Sequence, residues 1–209
     1  PNHRGRIMLP PAIGLLSSIL KEDGNNVKLF DTTYYDKLDE VGGAEIDSDN
    51  IKTEKLMARP FEMPNEITLK TTNVFDDFKK YVESYNPDLL AMSCTEDMFE
   101  LGILLLKQVR KYKIPTILGG VFATFAPDVA LSFSEIDIVC KGEGEESLRS
   151  LCRRMRTNKR YDDIPNLWIK NKNGSIKTNI TKMVDMDANP LIDMSIFEEA
   201  RFYRPMGGK

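Results

Sequence analysis

The chain has 209 residues, enough for one full domain with an appendage and too few for three domains. Apolar side chains make up 41% of it, which excludes a wholly disordered or collagen-like chain. Lys and Arg number 29 against 32 Asp and Glu, a net charge of −3 with the signs interspersed, so no basic excess exists to attract nucleic acid or an anionic membrane.

Along the chain, PAIGLLSSILKE (11–22) places Ile13, Leu15, Leu16, Ile19 and Leu20 at helical spacing, with Gly24 as a stop. VKLFD (27–31) predicts a short strand ending in an acid. From Thr32 to about Lys70 the periodicity breaks into a polar stretch with Gly-Gly and two prolines, which predicts a long surface excursion. A helix is expected over 73–85, with Phe75, Phe78, Tyr81 and Val82 on one face. Leu89–Ser93 then forms an almost continuous apolar run, the pattern of a parallel strand buried on both faces. A helix over 98–112, a strand over 114–120 ended by two glycines, a short helix over 127–133, a strand over 136–140 and a helix over 145–155 complete the alternation. Past Arg160, NLWIKNKNGSIKTNI predicts a hairpin turning at Asn173-Gly174. The remainder to Lys209 reads as a connector towards a further domain. The expected fold is an open, doubly wound, mostly parallel Rossmann-like α/β sheet over 1–160, with a small β-hairpin appendage and connector over 161–209.

No apolar run reaches the ~18 residues of a membrane span, and PNHRGRIML, broken by Pro and Arg, is no secretory signal. Three cysteines, Cys94, Cys140 and Cys152, are too few and too irregularly spaced for a disulfide framework or a zinc or iron–sulfur motif; they point to a reducing, cytoplasmic setting. The single histidine, His3, sits beside the terminus, which argues against a self-contained hydrolase built on a histidine base.

In open parallel sheets ligands bind beyond the carboxyl ends of the strands. The residues there are Asp31-Thr32-Thr33, Ser93-Cys94-Thr95, Gly119-Gly120-Val121 and Gly142-Glu143-Gly144, all small or polar. Each also has a plain structural reading. Gly119-Gly120 can be a tight turn, Asp31 a solvated acid or cap in place of a ribose ligand, Cys94 a small buried hydrophobe, and Glu143 a turn residue before a helix. Ser147 stands where a third glycine would be needed, so the dinucleotide fingerprint is absent.

Taken in order, PPAIGLLSSILKEDGNNVKLFD, NPDLLAMSCTED, ILGGVFATFAPDVAL, IDIVCKGEGEESL and IPNLWIKNKNG resemble the N-terminal cobalamin (vitamin B12)-binding domain of radical S-adenosylmethionine (SAM) enzymes. NPLIDMSIFEEARFYRPMGGK resembles the connector that leads to the cluster-binding cysteines of that family. The wider cobalamin-binding family carries Asp-x-His-x-x-Gly before its first helix, the histidine being the lower ligand of cobalt. Aligned on Gly14, this chain has Leu9 and Pro11 at the acid and histidine positions. The resemblance therefore implies cobalamin held without a protein lower axial ligand. It also implies that the nucleotide tail threads a slot walled by Ser93, Cys94 and Thr95, by Gly119, Gly120, Val121 and Thr124, and by Gly142, Glu143 and Gly144, with Gly14 at the start of the first helix. Family members open with an apolar strand, for which only Arg6–Leu9 could stand here. The [4Fe-4S] cluster and S-adenosylmethionine would belong to a radical SAM domain beyond Lys209, where methyl transfer or a related radical reaction would take place. The alternatives are a cofactor-free interaction or substrate-gating domain, or a flavodoxin-like nucleotide-binding module.

Overall fold

The predicted apolar runs at Leu89–Ser93, 114–120 and 136–140 become three neighbouring parallel strands. The structure, a computed structural model, describes residues 9–35, 38 and 68–202. In chain order these form α1 (Pro11–Glu22), α2 (Val74–Tyr85), β1 (Leu90–Ser93), α3 (Glu96–Val109), β2 (Thr116–Gly119), α4 (Val121–Phe125), α5 (Pro127–Ser132), β3 (Ile138–Cys140), α6 (Glu145–Arg156), β4 (Leu167–Lys170) and β5 (Ile176–Lys177). Three short 3-10 turns, Met186–Ala188, Met194–Ile196 and Glu199–Phe202, lie in the connector.

The five strands lie in sequence order in one sheet. β1, β2 and β3 run parallel, with Leu90 opposite Thr116, Ser93 opposite Gly119, and Leu118 opposite Val139. Alternation along β2 and β3 sends neighbouring side chains to opposite faces. Leu118 and Val139 enter a core with Val74, Phe78 and Val82 of α2, Met98, Leu105 and Val109 of α3, and Ala123, Ala130 and Leu131 of α4 and α5. Ile117 and Ile138 enter a second core with Leu20 of α1 and with Leu148 and Leu151 of α6. Helices thus cover both faces, the doubly wound arrangement expected.

Local chemistry sets the helix ends. Asn73 caps α2 by accepting from the N–H groups of Phe75 and Asp76 at 2.9 and 3.2 Å. Asn86 ends the helix in the left-handed region, φ 49°. Pro11 opens α1, where its missing N–H is no loss.

Three expectations are corrected. Val27–Asp31 is assigned no strand: the Leu29 carbonyl accepts from Tyr81 Oη at 3.2 Å, and the carbonyl of Asn26, just before the stretch, from Tyr85 Oη at 2.6 Å, both on α2. β1 is not buried on both faces: it is the sheet's outermost strand among the described residues, and Ala91 is exposed. The head of the expected surface excursion, Thr32–Tyr35, is buried, and Tyr35 bridges to Lys70. The expected hairpin forms, and its first strand β4 pairs antiparallel with β3, Val139 opposite Trp168, so that it prolongs the main sheet. Its turn forms at Asn173-Gly174 as predicted, with Gly174 at φ 83°. Residues 36, 37 and 39–67 of the excursion, His3, the expected strand Arg6–Leu9 apart from Leu9, and the chain past Phe202 lie outside the described residues.

Candidate functional site

β1, β2 and β3 end side by side at Ser93, Gly119 and Cys140, so the loops that leave them meet at one end of the sheet. Gly119 stands opposite Ser93, and a Cβ added to it would find, its chain neighbours aside, no atom of the described residues within 4 Å. Open space therefore lies directly above the β2 end. Gly120 differs. Its φ is +97°, and a Cβ there would sit 3.0 Å from Ser93 Oγ and 3.2 Å from the Cys94 carbonyl. Gly120 lets two strand ends approach, whereas Gly119 keeps the space above them clear.

Thr124 ties the next loop in. Its hydroxyl donates to the Gly120 carbonyl at 3.0 Å and accepts from the Gly142 N–H at 3.1 Å. Gly142, at φ +86°, turns the chain where few side chains could be accommodated. The arrangement is a short-walled groove of glycine and hydroxyl groups. Val121 and Phe125, 63% and 84% exposed, stand on α4, which starts directly after Gly120. Apolar groups this exposed beside a polar groove suit a large ligand with an apolar body.

Ser93 and Gly119 end β1 and β2, and Cys94, Thr95, Gly120, Val121, Thr124, Gly142, Glu143 and Gly144 lie on the loops after these strands, at the start of a following helix or on α4. Gly14 does not join them. A Cβ there would strike Ile192, with the Asp193 carbonyl at 3.1 Å and Phe197 at 3.3 Å, so the connector covers it. Ser17 and Lys21 of α1 both donate to the Asp193 carboxylate at 2.6 Å, and Ser18 donates to the Leu191 carbonyl at 2.6 Å.

The thiols are unsuited to nucleophilic work. Burial pushes Cys94 up to about 11 and Cys140 to about 12, leaving negligible thiolate at neutral pH. Among the described residues, no group of three or more His, Cys, Asp or Glu side chains is gathered to hold a metal ion.

Two residues escaped the sequence reading. Arg201, 3% exposed, folds back from the connector onto Asp31 (Nε–Oδ2 3.1 Å) and Thr33 (Nη1–Oγ1 2.9 Å). Asp31 is therefore engaged by the chain's own guanidinium and is no ribose ligand. Asn166, 1% exposed, bonds to the Gly142–Gly144 loop through the Glu143 carbonyl at 2.8 Å.

Residues 63–152, which include all three strand-end loops, match the family model of the B12 binding domain. That matched segment, under half of the chain, is what is similar to B12 binding domains. Two solved enzymes share the chain's fold. One is the cobalamin-dependent S-adenosylmethionine radical enzyme OxsB with aqua-cobalamin and S-adenosylmethionine bound, 18% identical at a TM-score of 0.65, the match covering 94% of this chain and 24% of OxsB. The other is the radical S-adenosylmethionine methyltransferase TsrM from Kitasatospora setae, with tryptophan and a SAM analogue bound. It is 15% identical at a TM-score of 0.57, over 85% of this chain and 29% of TsrM. The chain thus spans less than a third of either enzyme's length. No curated protein matches it. No helix among the described residues is long and apolar enough to cross a membrane.

Proposed function

We propose that the chain holds cobalamin at the carboxyl end of its parallel sheet, as the cobalamin-binding domain of a cobalamin-dependent radical SAM enzyme. The observation that carries this reading is Gly119: within the B12 binding match, the β2 end leaves clear the one position that a side chain would fill. A flat heterocycle on a polar tether needs such a slot, with hydroxyls near its mouth and no bulky wall. Ser93 and Thr95 would edge it from β1, Gly119 and Val121 from β2, and Gly142 to Gly144 from β3. Thr124 keeps the second and third of these walls in register. Gly14 belongs to the connector contact in this reading and does not touch the ligand.

The cofactor, when bound, supplies the chemistry of its cobalt centre. The chain's own contribution is to bind and orient: glycines admit the tail, hydroxyls offer hydrogen bonds to its polar groups, and α4 sets apolar side chains beside the corrin. Methyl transfer or another radical reaction would belong to the full-length enzyme, together with the [4Fe-4S] cluster, S-adenosylmethionine and the substrate.

The test is retention of hydroxocobalamin. Purified protein mixed with a slight excess and passed through a desalting column should carry the visible corrin absorbance at a ratio near one per chain. A folded sample that emerges colourless, or one whose melting temperature rises with a flavin and not with cobalamin, refutes the reading.

A further inference from the structure

Asn166 sits between Pro165 and β4, almost completely buried, in the left-handed region at φ 67°. Its amide nitrogen donates to the Glu143 carbonyl at 2.8 Å and to the Lys182 carbonyl at 3.1 Å; its Oδ1 accepts from the Lys182 N–H at 2.6 Å. The opposite amide orientation would set oxygen against two carbonyls, so the network fixes this one. The backbone of the same residue repeats the pattern. Its N–H donates to the Ile180 carbonyl at 2.9 Å, and its carbonyl accepts from the Lys141 N–H at 2.8 Å. One residue thereby joins the loop after β3 to the segment Ile180–Lys182 that enters the connector. Gly142 lies between these grips: Thr124 holds its N–H on one side, and Thr181 Cγ2 would lie 3.5 Å from its Cβ position on the other.

We propose that Asn166 is a positioning residue that couples occupancy of the strand-end groove to docking of the connector at residues 180–182. The coupling rests on the cobalamin reading above. A ligand that needs the Gly142–Gly144 loop in this geometry stabilises the Glu143 carbonyl where Asn166 can reach it, and so strengthens the hold on Lys182. Reciprocally, a docked connector keeps the loop ready for the ligand. A buried amide with both N–H donors and its oxygen engaged suits this task, because neither segment can shift without leaving a polar group unpaired.

The test uses the whole 209-residue chain and two variants, Asn166→Asp and Asn166→Gly. The first keeps the acceptor for the Lys182 N–H but loses both donations; the second keeps the left-handed backbone without the side chain. Asn179→Ala is the control, since Asn179 makes comparable amide bonds, to the carbonyls of Asp162 and Leu167, away from the groove loops. Hydrogen exchange is measured at 141–144 and 180–182 with and without hydroxocobalamin, beside the affinity itself. In the parent protein, hydroxocobalamin should slow exchange in both segments. Either Asn166 variant should speed ligand-free exchange in both at least tenfold, weaken hydroxocobalamin at least tenfold, and abolish the ligand's protection of 180–182. Asn179→Ala should leave the affinity within twofold. Unchanged affinity in a folded Asn166 variant, or protection of 180–182 that survives in it, overturns the proposal. If the parent retains no hydroxocobalamin, the cobalamin reading fails and the coupling with it, while ligand-free exchange still decides whether Asn166 holds the two segments together.

Discussion

The two adjacent glycines at the end of β2 separate ligand binding from folding. Gly119→Leu places a side chain where, its chain neighbours aside, no atom of the described residues lies within 4 Å, at a residue with no left-handed backbone requirement. Its effect on stability should stay within about 1 kcal/mol, because a strand position gains from replacing glycine and loses little by exposing leucine. Gly120→Val carries two penalties. Leaving glycine at φ +97° costs about 1–2 kcal/mol, and crowding Ser93 and the Cys94 carbonyl adds about 1–3 kcal/mol. The sum, about 2–5 kcal/mol, should lower the melting temperature by roughly 4–20 °C for a chain of this length. Ligand binding should show a different order. Gly119→Leu fills the slot and should weaken hydroxocobalamin at least a hundredfold in a protein that melts like the parent. Gly120→Val should lose binding only to the extent that it unfolds. Thermal melts monitored by circular dichroism, paired with corrin retention at 15 °C, distinguish the two. If Gly119→Leu binds as tightly as the parent, the ligand does not pass over the end of β2 and the site assignment fails.

The connector contacts and the buried thiols carry three more testable consequences. Asp31→Asn leaves the Arg201 guanidinium buried without the Asp31 counter-charge and should cost about 3–5 kcal/mol in urea unfolding, whereas the double change Asp31→Leu with Arg201→Met should cost less than either single change. The Asp193 carboxyl is held below its ordinary value of 3.8 by hydrogen bonds from Lys21, Ser17 and Ser195. The connector contact is therefore at full strength above pH ~4 and weakens as the pH falls towards the depressed folded value; proteolysis with pepsin should cut near residue 190 progressively faster from pH 4 to pH 2, and Asp193→Asn should flatten that dependence. Burial raises Cys94 and Cys152 to about 11 and Cys140 to about 12, so iodoacetamide at pH 7.5 should label native protein at least tenfold more slowly than urea-unfolded protein, and equal rates would contradict the packing around them.

Much of the scaffold was legible because local pattern and tertiary demand agree in it. α2, α3 and α6 have apolar stripes at helical spacing, and β2 and β3 have the unbroken Ile-Leu and Ile-Val pairs of strands covered on both faces. The errors arise where the outcome depends on a neighbour that the local sequence does not name. VKLFD has the composition of a strand, but pairing needs a partner ladder, and the Leu29 carbonyl meets the Tyr81 hydroxyl. LLAMS reads as doubly buried because apolar content reports what a strand could bury and not where it stands in the sheet. The separate helix at Val121–Phe125 was hidden because five residues give too little periodicity to measure.

The site was legible in a narrower sense. Small residues after each strand are a local signal, and the rule that ligands meet open sheets at their carboxyl ends brings them together. Which glycine faces space and which faces its neighbour depends on strand register, Ser93 against Gly119, that only pairing supplies. Asn166 and Arg201 lie further from view. Asn166 had one cue, an amide-bearing residue before a strand at a place where the left-handed region is tolerated. Arg201 had none, since its partners Asp31 and Thr33 come nearly the whole chain earlier. Both residues belong to the connector's attachment and not to the groove wall. Arg201 ties the 3-10 turn Glu199–Phe202 to Asp31 and Thr33, whereas Asn166 ties the loop after β3 to Lys182. On the cobalamin reading proposed above, the loop that would edge the ligand therefore shares its hydrogen bonds with Ile180–Lys182, and neither segment could shift without unpairing the amide that joins them at the Glu143 carbonyl.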